Sequence, residues 1–180
     1  KWLAIVRSTE GLDEAVEAMS GTPWGRILAK LDGEASLEVM ENALDMQYFA
    51  DALSAVRKEE ASPQLLNYLR MEIDHRNIIN LFRSIRMGMT NEQRQDIIIP
   101  GGRINSSTMI QASGAETDQE LIDILRKSNS FDDSGFDEAR TESERLGSLD
   151  PFAELLSHHR HAVLRRFSHL SPVSAFPIIH

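Results

Sequence analysis

Apolar residues recur at helical spacing through most of the chain. Leu12, Val16 and Met19 mark a first short helix, and Thr22-Pro23 supplies a cap and a first-turn proline for a second, carrying Trp24, Ile27, Leu28 and Leu31. Ser36 then caps a long segment reaching about Glu60. In it Leu37, Met40, Leu44, Tyr48 and Val56 follow a 3.6-residue period, with Glu38, Glu41 and Asp51 largely off the stripe. Ser62-Pro63 stops that segment and starts another that runs to about Met89 and is about 40 Å long at 1.5 Å per residue. The short connection predicts that residues 36–89 fold as an antiparallel helical hairpin.

The second long helix carries the most informative text. Leu66, Leu69, Ile73, Asn77 and Leu81 share one face, and Ile78, Phe82 and Ile85 widen it until the C-terminal half is apolar on most sides and should be buried. Asp74 and Asn77 therefore sit on or beside a core-facing stripe. A carboxylate there must find hydrogen-bond donors or shift its pKa. Glu72, Arg76, Arg83 and Arg86 lie on a different stripe and can pair along it.

Beyond it, Thr90 with Gln93, and Thr117 with Glu120, are capping-box patterns for two short helices. Pro100-Gly101-Gly102 makes a turn between them, and Ser106 or Ser107 starts another helix. Residues 128–135 are polar and Asp/Ser-rich and read as a mobile inter-lobe linker. Helices follow over about 136–146 and from Asp150-Pro151 to about His169. The division expected is a lobe over 1–127, a linker and short helix over 128–149, and the start of a further repeat over 150–180. A shift of 109 residues sets Ser62-Pro63 over Ser171-Pro172, a weak sign of such a repeat. With no initiator methionine, and a helix start at Ser171-Pro172 just before the end, the sequence reads as a piece of a longer chain.

Composition sharpens the class. Ten Gly, six Pro and 6% aromatics in 180 residues leave a supply suited to helices, so an all-α fold is expected. The net charge of −9 argues against nucleic acid as a partner. Without cysteine there is neither a disulfide nor a thiolate ligand or nucleophile, which fits a reducing compartment. No apolar run reaches the roughly 18 residues of a membrane span.

The chemistry on offer is thin. Gly101-Gly102 lacks the flanking pattern of a phosphate loop and reads as a turn. His158 and His161 share a helix face, but Arg160, Arg165 and Arg166 crowd it and no H-E-x-x-H pattern is completed. A basic interface patch of His158, His161 and Arg165 is the favoured reading, with a metal-dependent helical hydrolase as the rival. Asp74 beside His75 has the groups of general-base chemistry, yet neighbours on a helix point about 100° apart, so a structural polar contact is expected instead.

The segment YLRMEIDHRNIINLFRSIRMG, followed by IIIPGGRI, resembles the recurring motif of the C subunits of archaeal and bacterial A/V-type ATP synthases, relatives of the d subunit of vacuolar ATPases. The matching residues are Tyr68, Glu72, Ile73, Asp74, Asn77, Ile78, Leu81 and Arg83, then Gly101 and Gly102. Upstream, Glu41, Asp45 and Tyr48 and the text TPWGRILAKL are similar as well, and residues 152–179 look like the start of the family's next repeat. The resemblance implies an all-α funnel of pseudo-threefold helical lobes that needs no cofactor. Its partners would be the central shaft subunits and the membrane rotor ring, at the cytoplasmic face of the membrane. It also implies that Asp74, Asn77 and Arg83 are interhelical locks without a catalytic role. An unrelated helical-repeat scaffold is the remaining alternative.

Overall fold

In a computed structural model the chain is described over residues 10–31, 35–58 and 63–170, without the side chains of Lys58 and residues 167–170. The described residues are helical, with no strand among them: α1 Leu12–Ala18, α2 Pro23–Leu28, α3 Leu37–Lys58, α4 Pro63–Arg86, α5 Asn91–Asp96, α6 Ser106–Ser113, α7 Asp118–Leu125, α8 Phe136–Leu146 and α9 Asp150–Leu170. None of them is long and apolar enough to cross a membrane.

Local capping explains most of the helix starts. The Thr22 hydroxyl accepts the Gly25 N–H at 3.0 Å. Thr90 and Gln93 form the full reciprocal box, each side chain taking the other's backbone N–H. At α7 the box is only half made: Thr117 takes the Glu120 N–H, whereas the Glu120 carboxylate reaches back to the N–H of Glu116. Asn105, ahead of the two serines, caps α6 by accepting the Thr108 N–H at 2.8 Å.

The chain groups into two compact units, Lys1–Asp51 and Ala52–His180. The first holds α1, α2 and most of α3. There the expected stripe on α3 is only partly covered: Met40 is buried, yet Leu37 is 62% and Tyr48 50% exposed, and Phe49, off the stripe, is buried. Periodicity identifies a helix without naming the face its partners cover. Ser62, Ser171 and Pro172, on which the hairpin turn and the repeat were read, lie outside the described residues.

The second unit holds the last turns of α3 and everything after it, so the 128–135 stretch lies inside this unit. Its core is continuous from Ile78, Leu81 and Phe82 on α4 through Met109 on α6 and Leu121, Ile122 and Leu125 on α7 to Phe136 and Phe152 at the starts of α8 and α9. Phe82 and Phe152 stack with ring centroids 4.0 Å apart, and Phe136 lies 5.9 Å from Phe152, all three fully buried. Polar ties fix the periphery. Arg86 of α4 pairs with Asp118 of α7 at 3.0 Å and donates to Ser143 of α8 at 2.6 Å. Arg94, buried, donates to the carbonyls of Ser113 and Ala115, which pins α5 against the end of α6. Glu72 and Arg86 thus find partners on other helices, beyond the within-helix pairing their spacing suggests.

Candidate functional site

The most ordered chemistry of the molecule surrounds the middle of α4, where the chain between α5 and α6 is stapled to it. Asn77 clasps Ile99 with two bonds of 2.8 Å, its amide donating to the Ile99 carbonyl and its oxygen accepting the Ile99 N–H. One turn earlier, the Asp74 carboxylate accepts the N–H of Arg103 at 2.9 Å and that of Ile104 at 3.2 Å. One turn earlier again, Arg70 donates to the carbonyl of Gly102 at 2.8 Å through Nη2 and 3.1 Å through Nε. A single helix face so satisfies both donors and acceptors of the 99–104 backbone, which has no strand or helix of its own to do so.

Glycine makes this approach possible. At Gly102 a Cβ would stand 2.0 Å from the Asp74 Oδ1, so any side chain would evict the carboxylate. Gly101 follows Pro100 with φ +102°, the residue order that a type II turn favours, and sits against Leu53 and Ile73. The Gly-Gly pair is a turn and a close-approach site, as its sequence context indicates.

Asp74 is 4% exposed. Burial raises its carboxyl from 3.8 to about 6, while the two backbone donors and the charges of Arg103 and Arg70 pull the other way. The lock residues Asp74 and Asn77 therefore reach the main chain of a connecting segment, not a side chain of another helix. Arg83 lies half-buried further along α4.

Beside this seam the geometry is looser. A cleft of about 280 Å³ opens between α4, residues 103–104, residues 130–132 and α9. Its floor includes Ile78, Ile104 and Leu156, and Asp74, His75, Arg103, Asp132, His159 and Arg166 supply its polar lining. Arg103 bridges two walls by donating to the Ser130 carbonyl at 3.1 Å. His159 lies 3.1 Å from the Ser134 carbonyl through its Nε2, and Ser134 also holds Asp132, whose carboxyl falls below its ordinary value chiefly through the Ser134 hydroxyl. Burial pushes the His75 imidazole down to about 4, and the neighbouring His159, Arg160 and Arg103 charges act in the same direction. Its buried Nδ1 has no hydrogen-bond partner, and neither has Oε1 of Glu72 one turn away, whose other oxygen meets Arg160 of α9 at 3.2 Å.

Asp74 is engaged by the backbone donors of Arg103 and Ile104. Among the described residues no three His, Asp or Glu side chains are grouped to hold a metal ion. His158 and His161 stand on α9, with Arg165 exposed on the same face, while their neighbour His159 turns into the cleft. The spacing of 158 and 161 signals a shared face. It gave no sign that the intervening His159 would line the same cleft as His75, because that depends on how α9 packs on α4.

Residues 4–180 match the family model described as ATP synthase (C/AC39) subunit. The chain belongs to this family. Among its relatives, the C subunit of the A-type ATP synthase of Haloquadratum walsbyi is 30% identical over 174 residues, covering 93% of this chain and 49% of the relative. The corresponding protein of Methanococcoides burtonii is 28% identical over 181 aligned positions, covering 99% and 49%. That of Thermococcus onnurineus is 30% identical over 118 residues, covering 64% and 32%. The chain thus spans about half the length of the first two of these relatives. No solved structure matches it.

Proposed function

We propose that this C/AC39 chain is part of the non-catalytic component that couples the central shaft of an A/V-type rotary ATP synthase to the membrane rotor ring. It would act in ion-driven ATP synthesis or ATP-driven ion transport while held peripherally at the cytoplasmic face. The observation that carries the reading is the family match over residues 4–180, with relatives that are named as C subunits of A-type ATP synthases. In this reading helical hairpins such as 36–89 build the pseudo-threefold lobes of a funnel, and Asp74, Asn77 and Arg83 are structural locks.

The physical demand on such a part is stiffness. A socket that passes torque must not yield between its two contacts, and a close-packed core with fully bonded polar ties has few soft modes. The stapling of residues 99–104 by Arg70, Asp74 and Asn77 is what this role requires of the second unit. The test is affinity purification of the tagged protein from native membranes, followed by an ATPase assay on the isolated protein. Shaft subunits and ring should come with it, and the protein alone should hydrolyse nothing. Recovery free of both partners, or ATP hydrolysis by the isolated protein, would remove the assignment.

A further inference from the structure

Residues 157–166 hold three His and three Arg and no acidic residue, in a chain with 28 acidic against 19 basic groups. The structure puts this exception on one element. His158, His161 and Arg165 recur at three- and four-residue spacing along the outer face of α9, and Arg166 stands beside them at the lip of the cleft. None of these four has a hydrogen-bond or ion-pair partner among the described residues. Arg160 of the same stretch behaves differently, since it is turned inward to Glu72 and Ser157. The only carboxylate on the adjoining turn is Glu154, at the N-terminal end of the stripe. Beside the stripe the cleft offers an apolar floor of Ile78, Ile104 and Leu156, and at its edge the exposed Ala162 leaves the entrance unobstructed.

We infer that the outer face of α9 and the adjoining cleft form a docking surface for an acidic segment of a partner protein of the complex, one that presents an apolar side chain among its carboxylates. The apolar group enters the cleft and the carboxylates meet Arg165, Arg166, His158 and His161. Charge complementarity selects this occupant. Residues 157–166 carry three Arg and no carboxylate in a chain of net charge −9, so an acidic partner finds there an attraction that the chain as a whole does not offer, and a second copy of this acidic chain is repelled at long range. An apolar recess with polar groups of both signs around it, Arg103 and Arg166 as well as Asp74 and Asp132, also matches the anatomy of protein interfaces, in which a desolvated centre is ringed by polar contacts. Asp132 at the opposite lip is held by Ser134 and is opposite to the stripe in charge, which favours one orientation of the incoming segment.

This inference rests on the rotary reading and deepens it by naming the surface and its partner's chemistry. The probes are the isolated shaft subunits and the isolated membrane ring, titrated against the protein and against an Arg165→Glu/Arg166→Glu variant at low and high salt. Both substituted positions are exposed, and a thermal melt matching the parent checks the fold. One of the two probes should lose about tenfold or more in affinity toward the variant, with the salt dependence of binding flattened. Ala162→Glu, at the lip of the cleft, should weaken the same partner, whereas Ala162→Lys should not. Parent and variant binding both probes equally would overturn the docking surface and leave the rotary reading standing. A parent that binds neither probe would remove both. If the variant instead loses binding only to vesicles containing phosphatidylserine, the face is a membrane contact and the inference is wrong.

Discussion

The seam along α4 and the cleft beside it are built from the same helix turns and end in different states. Toward residues 99–104 Arg70, Asp74 and Asn77 between them satisfy the backbone of Ile99, Gly102, Arg103 and Ile104. Toward α9, Glu72 and His75 each leave one buried atom unpaired, and His75 lines the cleft. Asp74 and His75 are neighbours in sequence, yet burial raises the acid and lowers the base, so both drift toward neutrality. The contrast separates a rigid seam, where a buried carboxylate is kept because backbone donors need it, from a yielding one that has room for another molecule.

The largest effect should come from the seam's closest approach. Gly102→Ala sets a methyl group against the Asp74 carboxylate and should cost about 3 kcal/mol or more, read as a lowered denaturant midpoint. In an Asp74→Ala background the same substitution should cost clearly less, because the clash partner is gone; equal costs would mean that the two do not touch. Next comes the lock. Asp74→Ala or Asn77→Ala leaves buried backbone donors or acceptors unpaired and should each cost about 1 to 3 kcal/mol. Amide hydrogen exchange at Ile99, Arg103 and Ile104 should accelerate at the same time.

The neighbouring pair makes a prediction in pH. Asp74 titrates at about 6 when folded against 3.8 when free, so its contribution to stability is full below about 4 and is lost as pH rises through about 6. His75 titrates at about 4 against 6.5, so its contribution is full above about 6.5 and is lost as pH falls through about 4. The two oppose each other over the same window. On acidification from pH 7 to 4.5, thermal melts of Asp74→Asn should fall more steeply than the parent and those of His75→Gln less steeply. Parallel curves for all three would contradict the burial of both groups. The smallest effect belongs to the looser side. Glu72–Arg160 is a partly exposed pair, and a double-mutant cycle should give it roughly 1 kcal/mol or less.

What could be read from the sequence was local or periodic. The caps at Thr22, Thr90 and Thr117 bond within three residues, so their partners stand beside them in the text. The buried face of α4 is a long stripe in a helix apolar enough to leave little choice of direction. Asp74 stood out because a carboxylate on that stripe needs an explanation. Its partners did not, since the Arg103 and Ile104 N–H groups belong to every sequence and become special only when a chain 29 and 30 residues on is folded back to them. For the same reason Gly102 was legible as a turn residue and not as the gap that admits the carboxylate. On α3, Leu37 and Tyr48 share the helical period with Met40 and yet are exposed, because a mixed helix offers more than one plausible face. The cleft was invisible, as it is a product of how α9 and residues 130–132 lean on α4.

In the proposed role the protein transmits motion and performs no chemistry of its own. The direct measurement is ATP-driven ion transport by the reconstituted rotary complex assembled with and without it, with ATP hydrolysis followed in the same vesicles. Without the protein, hydrolysis by the catalytic head should continue while ion transport is lost, and adding the protein back should restore transport. Ion transport that persists at its full rate in the protein's absence would contradict a coupling role.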